Sequence, residues 1–177
     1  MEISIRPAVA TDLPRLMGMD HSCFSEYVWQ LDLHKETGQV LANLREMRLP
    51  RPVQLKYPRD PFALADEWQY KSLMLVAVGA DLLGYVCVSL QSARTVAWIT
   101  DLVVAPEARR RGIGMALLEA SEQWALERDL PMLTFESQAR NQPAIRMAQK
   151  FGLEFCGYND RYYTSHDVAV FFGRSLK

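Results

Sequence analysis

The sequence predicts an α/β fold in which a mixed central sheet is flanked by helices. Short segments rich in β-branched and aromatic residues, typical of strands, alternate with segments whose apolar residues recur every three or four positions, the period of a helix. A strand and a helix come first, several strands follow, and strand–helix–strand–helix precedes a last pair of strands. This order favours one sheet that contains both parallel and antiparallel neighbours.

Composition restricts the classes of function. The 177 residues are 49% hydrophobic and 23% charged, which is typical of one globular domain over residues 1–177. The net charge of −1 lacks the basic excess of nucleic-acid-binding and membrane-surface proteins, so we expect neither kind of partner. No apolar run approaches the ~18–20 residues of a membrane span.

Cysteine usage and the first residues favour a cytoplasmic protein. Cys23, Cys87 and Cys156 are odd in number and widely spaced, which disfavours a disulfide framework and fits a reducing compartment. The first residues lack the apolar stretch of a secretory signal. His21 lies near Cys23, but no matching ligand pair follows, so we expect no metal site.

The N-terminal third begins with a strand and a short helix. Residues 3–7 alternate, with Ile3 and Ile5 on one face, and predict the first strand. Thr11 is a candidate N-cap for a helix over residues 12–19.

Residues 20–70 show the least regular pattern. We expect a loop or short helix over residues 24–30, which carry several aromatic side chains. Residues 39–47 could form a helix or a strand. We favour the strand, because residues 53–57 alternate strictly and would pair with it across a turn at residues 49–52. Residues 60–68 predict a helix with Pro61 in its first turn.

The remaining elements follow clear patterns. Strands are expected at residues 73–78, 83–90, 98–104, 131–136, 154–158 and 168–172. A helix begins at Ile113 and ends before Pro131, and a second helix covers residues 141–152 with Gly152 as its C-terminal cap.

The turn before Ile113 has the composition of an anion-binding site. Gly112 and Gly114 permit close approach to the unpaired N–H groups at the start of the helix, where the helix dipole is positive. Positive charge from Arg109, Arg110 and Arg111 lies in the same place.

Two familiar phosphate motifs do not fit this turn. A Walker A loop ends in Gly-Lys-Ser/Thr, whereas Met115 and Ala116 follow Gly114. A dinucleotide fingerprint needs a third glycine where this chain has Leu117.

The strand, Pro106 and the Arg-x-x-Gly-x-Gly turn resemble motif A of the GNAT superfamily of N-acetyltransferases. The resemblance implies the GNAT (acyl-CoA N-acyltransferase) fold, with acetyl-CoA as co-substrate and its pyrophosphate on the turn. In the family the strand is splayed or bulged, here near Val103 and Val104, and its backbone binds pantetheine and polarises the thioester carbonyl. The implied cofactor contacts are Leu102, Val103, Val104, Arg109, Arg110, Arg111, Gly112, Ile113, Gly114 and Met115.

A second match involves the last helix. Asn141-x-x-Ala144 with Gly152 and Leu153 resembles GNAT motif B, in which the Asn side chain contacts the pantetheine arm. The resemblance therefore adds Asn141 and Ala144 to the cofactor contacts.

One family residue is missing. The motif B tyrosine, which often protonates the departing thiolate, falls on Ala148 in this chain. Tyr162 and Tyr163 are the first candidates to replace it, and Tyr158 or a water molecule are alternatives. A thiolate of pKa near ~8.5 is a tolerable leaving group, so the loss need not abolish activity.

Longer stretches are similar to streptothricin acetyltransferases and their relatives. These stretches are FESQARNQPA, GYNDRYY, DVAVFFGRSL, SEYVWQ and RLPRPVQLKYPRDP. The resemblance implies direct attack of a primary amine on acetyl-CoA, most simply the amine of a small molecule. A protein or peptide N-acetyltransferase and a non-catalytic acyl-CoA-binding module are the alternatives. GNAT domains often dimerise, so a homodimer is compatible with the resemblance.

Acceptor-side residues are assigned from the same resemblance. An alkylammonium of pKa near ~10.4 must lose a proton before attack. Asp101, acting through water, is the first candidate base and Glu136 the second, although Asp101 could also serve only as a strand-end hydrogen-bonding group. Tyr27, Trp29 and Glu46 are candidates for lining the acceptor pocket, because the segment after the first helix shapes that pocket in GNAT folds. Their alternative role is to cover the core.

Overall fold

A seven-stranded sheet carries the fold in a computed structural model that describes residues 3–90 and 95–177. The sheet order is β1–β4–β5–β6–β7–β9–β8, and β2 and β3 form a separate hairpin. Only β6 and β7 are parallel neighbours in the large sheet, so the predicted mixed sheet is confirmed. The strands are β1 (Ser4–Pro7), β2 (Cys23–Glu36), β3 (Gln39–Leu55), β4 (Leu73–Val78), β5 (Leu82–Leu90), β6 (Val96–Val104), β7 (Met132–Gln138), β8 (Glu154–Asn159) and β9 (Ala169–Ser175).

Helices cover both faces of the sheet. They are α1 (Leu13–Met17), α2 (Leu64–Glu67), α3 (Ile113–Leu126) and α4 (Gln142–Lys150). The apolar residues of α3 and α4 pack in the larger core cluster, whereas those of α1 and α2 pack in a second cluster with Tyr85 and Val103. The sheet therefore separates a face covered by α3 and α4 from a face covered by α1 and α2. No helix among the described residues has the length and apolar character to span a membrane.

The start of the first helix differs from the prediction. A 3₁₀ turn over Ala10–Asp12 precedes α1, and Thr11 lies within it rather than at an N-cap. The reason is Asp12, whose carboxylate accepts the Val9 N–H at 2.9 Å and hydrogen bonds of 2.7 and 2.9 Å from Arg6.

The segment after α1 is a long hairpin, which corrects two predictions. Residues 24–30 lie in β2, not in a loop or helix, and β3 is one strand rather than two strands joined at residues 49–52. The chain reverses instead at Gly38, which has φ 77°. Residues 49–52 lie opposite Glu26 alone, where the pairing is irregular. Pro50 and Pro52 lack an N–H to donate, so this irregularity accommodates them within the strand.

We predict that Asp12→Ala lowers the free energy of unfolding by about 1 kcal/mol at pH 7, because the Val9 N–H loses its acceptor. Hydrogen bonds from Arg6 hold the pKa of Asp12 below its usual range. The stabilisation is therefore present above the usual pKa of an aspartate and is lost as the pH falls through the lowered pKa. Urea unfolding at a series of pH values measures this. Asp12→Asn, which keeps an acceptor oxygen, should lose less, and a difference between wild type and Asp12→Ala that is as large in acid as at pH 7 would contradict the assignment.

Candidate active site

The turn that joins β6 to α3 presents a row of unpaired backbone donors. Gly112 and Arg110 have left-handed backbone conformations, with φ of 83° and 63°. Within the described residues, none of the six N–H groups from Arg110 to Met115 donates a hydrogen bond. Such a concavity at the positive end of a helix dipole binds anions. A Cβ on Gly112 would meet nothing within 4 Å, so the turn is open to a ligand.

The three arginines of the turn have different environments. Arg109 donates to the carbonyl oxygens of Val104 at 2.9 Å, Ser22 at 2.7 Å and Asp20 at 3.3 Å, so its guanidinium ties the turn to β6 and to the segment before β2. Arg110 and Arg111 are exposed beside the free N–H groups. They are therefore the arginines available to a bound phosphate.

Strands β6 and β7 part in the middle of the sheet. Their parallel pairing ends at Ile99 and Phe135, after which β6 pairs only with β5 and β7 only with β9. Thr100 has no partner in β5 and forms a bulge, so the bulge lies earlier than the predicted position near Val103 and Val104. We call the gap between residues 100–104 of β6 and residues 136–138 of β7 the strand cleft.

Backbone groups of β6 face the strand cleft at alternate residues. The Val103 carbonyl points the other way, towards β5, because a Cβ on Gly84 would lie only 2.4 Å from its oxygen. Adjacent residues of a strand direct their N–H and C=O groups to opposite edges. Leu102 and Val104 therefore present theirs to the cleft, and the contribution of Val103 to a cofactor site would come from its side chain.

Helix α4 closes the cleft on the side of α3. Asn141 caps it, accepting the Ala144 N–H at 3.2 Å. Met147 packs against Gly114, where a Cβ would lie 2.6 Å from the Met147 sulfur. Gly114 therefore brings α3 and α4 together, in addition to its predicted place in the turn. The pantetheine contacts of Asn141 and Ala144 stay predictions.

A cavity of about 910 Å³ lies on the α1–α2 face of the sheet. We call it the carboxylate cavity, because Asp101 forms part of its wall. The Asp101 side chain is 5% exposed and that of Glu136, one strand away, is fully buried. The lining residues are Lys56, Tyr57, Pro58, Arg59, Asp60, Pro61, Ala63, Leu64, Glu67, Lys71, Tyr85, Asp101, Tyr162, Tyr163, Thr164 and Ser165.

Asp101 is held by donors on three sides. Tyr57 and Thr100 donate their hydroxyl hydrogens to its carboxylate, the latter at 2.7 Å. Arg59 Nη1 lies 3.4 Å from Oδ1, and Lys71 Nζ lies 4.0 Å from Oδ2. These contacts fix the orientation of the Asp101 carboxylate at the cavity wall.

Glu136 does not line the carboxylate cavity. Its carboxylate accepts hydrogen bonds from Arg59, from the Trp98 ring nitrogen and from the Tyr162 hydroxyl, the last at 2.7 Å. A fully buried carboxylate that is outside the cavity lining is suited to fixing its neighbours rather than to exchanging protons with a ligand.

The two predicted acid tyrosines differ in their hydroxyl groups. Burial and the hydrogen bond to Glu136 raise the pKa of Tyr162 to about 12. Burial and the nearby charge of Glu136 raise the pKa of Tyr163 above its usual range. The Tyr163 hydroxyl donates no hydrogen bond within the part of the chain that the structure describes, so it can donate to a ligand in the carboxylate cavity. Tyr158 lies in β8 against the larger core and does not line the cavity.

The structure does not bring Tyr27, Trp29 and Glu46 to the carboxylate cavity. Trp29 packs against Phe172 of the core, with ring centroids 5.7 Å apart. Glu46 accepts hydrogen bonds from Gln142 and Arg146 of α4, and the Arg146 guanidinium lies over the Tyr27 ring. The hairpin thus uses these side chains to contact α4 and the core.

The main residue that sequence reasoning missed is Arg59. It joins Asp101 and Glu136, which are 42 and 77 residues away in the chain, so no local spacing could reveal it. The only signal was its place in the stretch RLPRPVQLKYPRDP. Among the described residues, no group of three or more His, Cys, Asp or Glu side chains could hold a metal ion.

The chain is similar to known acetyltransferases. The model of the Acetyltransferase (GNAT) family matches residues 41–153. A streptothricin acetyltransferase from Streptomyces lavendulae is 32% identical over 164 residues, which are 89% of this chain and 85% of that protein.

Two solved structures share the fold along the whole chain. The crystal structure of nourseothricin acetyltransferase is 27% identical, with 100% of both chains covered and a TM-score of 0.84. A structure from Bacillus anthracis str. Ames in complex with acetyl coenzyme A is 20% identical, with 99% of this chain and 100% of that chain covered and a TM-score of 0.76.

We predict that Gly112→Asp weakens acetyl-CoA binding much more than Gly112→Asn. Asp and Asn both tolerate the left-handed backbone and have the same size, and the space beside Gly112 is open. Only Asp places a negative charge beside the expected pyrophosphate, at a cost of about tenfold or more in affinity. Calorimetric titration at low salt measures both dissociation constants. Equal affinities for the two variants would show that no anion binds at this turn.

Proposed function

Because the chain belongs to the GNAT family of acetyltransferases, we propose that it acetylates a primary amine of a small cationic molecule of the streptothricin class. The N-acetyltransferase activity and the use of acetyl-CoA that the sequence predicts are confirmed by the comparisons. The single observation that carries the choice of acceptor is the carboxylate cavity, whose wall contains a buried Asp101. The relative named for streptothricin, which matches most of both chains, supports the same choice. We further propose that the protein acts in the cytoplasm as a single domain.

The two sides of the sheet divide the work of the reaction. The anion-binding turn holds the pyrophosphate, and the strand cleft leads the pantetheine arm along Leu102 and Val104. The carboxylate cavity lies on the opposite face and receives the amine. The cleft joins the two faces, so a thioester lying in it can be reached by an acceptor in the cavity.

The proposed chemistry is direct attack. Asp101 attracts the ammonium group of the acceptor and takes its proton, directly or through one water molecule. The amine nitrogen then forms a bond to the thioester carbon, the bond from that carbon to sulfur breaks, and the nitrogen loses its second proton to water. CoA leaves as a thiolate and takes a proton from Tyr163 or from water. Glu136 is fully buried and bound to Arg59, and it takes no part in these proton transfers.

Release of the CoA thiol in the presence of an amine panel tests the function. The panel should contain streptothricin-type compounds, simple diamines and peptides with a free N-terminus or lysine. Faster acetylation of the streptothricin-type compounds supports the proposal. Faster acetylation of the peptides would identify a peptide acetyltransferase. Acetyl-CoA binding without thiol release would identify a non-catalytic module.

We predict that Asp101→Asn lowers kcat/KM for the acceptor about 10²- to 10⁴-fold with little change in the dissociation constant of acetyl-CoA. Asn has the same size as Asp and one acceptor oxygen, so it keeps one of the two hydrogen bonds that Tyr57 and Thr100 donate to the carboxylate, but it cannot accept the proton of the ammonium group. Steady-state kinetics with the best acceptor, together with calorimetry, separate the two effects. Activity close to that of the wild type would exclude Asp101 as the base.

We also predict that Tyr163→Phe lowers kcat more than Tyr162→Phe, with little effect on KM for acetyl-CoA. The Tyr163 ring is buried at the cavity and its hydroxyl is uncommitted, whereas the Tyr162 hydroxyl already binds Glu136. Initial rates at saturating acceptor compare the two variants directly. If both keep the wild-type kcat, water protonates the thiolate.

A further inference from the structure

We propose that Arg59 is a positioning residue that supplies the positive charge between Asp101 and Glu136 and fixes the width of the strand cleft where β6 and β7 part. The first of these roles rests on the proposed function, because it concerns the base of the acetyl transfer. The second concerns the binding of acetyl-CoA and can be measured without an acceptor.

The position of Arg59 in the fold is the first argument. Its Nη1 donates to the Thr100 carbonyl of the β6 bulge at 2.9 Å and lies 3.4 Å from Asp101. Its Nη2 donates to Glu136 of β7. The last paired residues of the two strands are Ile99 and Phe135, each directly before these contacts. One guanidinium therefore bridges β6 and β7 at the first residues beyond their pairing.

The bulge makes this bridge necessary. A residue without a partner leaves its backbone carbonyl outside the strand ladder. Here the Thr100 carbonyl points to Arg59 and accepts its hydrogen bond. Trp98 and Tyr162 hold the other end, because both donate to the same Glu136 carboxylate that receives Arg59. The fork of donors on arginine suits two acceptors at once, which a lysine ammonium cannot span in the same way.

The charges of Asp101, Glu136 and Arg59 also support the proposal. Asp101 and Glu136 are 5% and 0% exposed in their side chains, and Arg59 is 28% exposed. Two buried carboxylates that share a site cannot both stay ionised without a cation between them. The groups that face this pair are Arg59, Lys71, His21, Tyr57, Tyr85, Cys87, Tyr162 and Tyr163. Arg59 alone among them hydrogen-bonds Glu136 and also pairs with Asp101.

Arg59→Met tests both roles. Loss of the cation makes a negative charge on the base less favourable, so the acid limb of kcat/KM against pH should move to higher pH by about one to three units. Loss of the bridge should raise the dissociation constant of acetyl-CoA several-fold. Arg59→Lys restores the charge but not both contacts, so we expect the acid limb to return most of the way while the dissociation constant stays raised.

Three further variants separate charge from structure. Arg59→Met with Glu136→Gln has the same net charge at the pair as the wild type, so its acid limb should return towards the wild-type position. Lys71→Met removes a cation 4.0 Å from Asp101 without touching β7, so it should move the acid limb slightly and leave acetyl-CoA binding unchanged. Arg174→Met is the control for stability, because Arg174 binds Glu122 and the Phe151 carbonyl away from the cavity. It should lower Tm with no change in the pH profile.

The results of these experiments distinguish failure of the Arg59 proposal from failure of the proposed function. A folded Arg59→Met with the wild-type acid limb and the wild-type dissociation constant would overturn the proposal, as would the same shifts in Arg174→Met. If Arg59→Met does not fold, Arg59→Lys decides, because a wild-type affinity for acetyl-CoA in that variant would contradict the bridge. If the wild type acetylates no amine, the proposed function fails. The dissociation constants and a carboxyl-carbon NMR titration of Asp101 still decide the role of Arg59.

Discussion

The parting of β6 and β7 is the structural constraint on which the rest of the site depends. Up to Ile99 and Phe135 the two strands pair with each other. Beyond these residues β6 pairs only with β5, and β7 pairs only with β9. Buried backbone groups without partners are costly, so an opening inside a sheet persists only where something else satisfies them. Arg59 satisfies one such carbonyl and Arg109 satisfies another, at the two ends of the open edge of β6. The groups between these two carbonyls, which are those of Leu102 and the N–H of Val104, are left for a ligand. A peptide-like arm, which carries both donors and acceptors, is the chemistry that fits such an edge.

The parting of β6 and β7 also determines which charged side chains lie at that end of the strand cleft. The open strands bring Asp101 of β6 and Glu136 of β7 towards one another in a buried region. Arg59 contacts both carboxylates, and each of them accepts hydrogen bonds from three donors. They differ in access, because Asp101 lines the carboxylate cavity and Glu136 does not. The proposed base and its neighbour are thus two carboxylates with similar burial and different access.

Local patterns predicted the parts of the site that are built from neighbouring residues. The strand, the glycine turn and α3 follow one another in the chain, so composition and periodicity were enough to identify the turn around Gly112. The hairpin was predicted wrongly, because Pro50 and Pro52 suggested a turn and nothing in the local sequence shows that four residues can lie opposite Glu26. Arg59 was missed for a related reason. Its two carboxylates come from strands far along the chain, and only the sheet order makes them neighbours.

The position of Ala148 illustrates the difference between the two faces of the sheet. It is fully buried in the larger core with Ile145, on the face of α3 and α4, and the structure gives that position a packing role. The candidate proton donors, Tyr162 and Tyr163, come instead from the segment between β8 and β9 and line the carboxylate cavity. Helix α4 therefore packs against α3 through Met147 and Gly114, whereas the two candidate proton donors lie at the carboxylate cavity. A thiolate needs less help from an acid than an alkoxide or amide would, because its conjugate acid has a pKa near ~8.5. A core-forming alanine can therefore occupy that position at little chemical cost, and Asp101 of β6, the proposed base, is the residue on which the proposed reaction depends most.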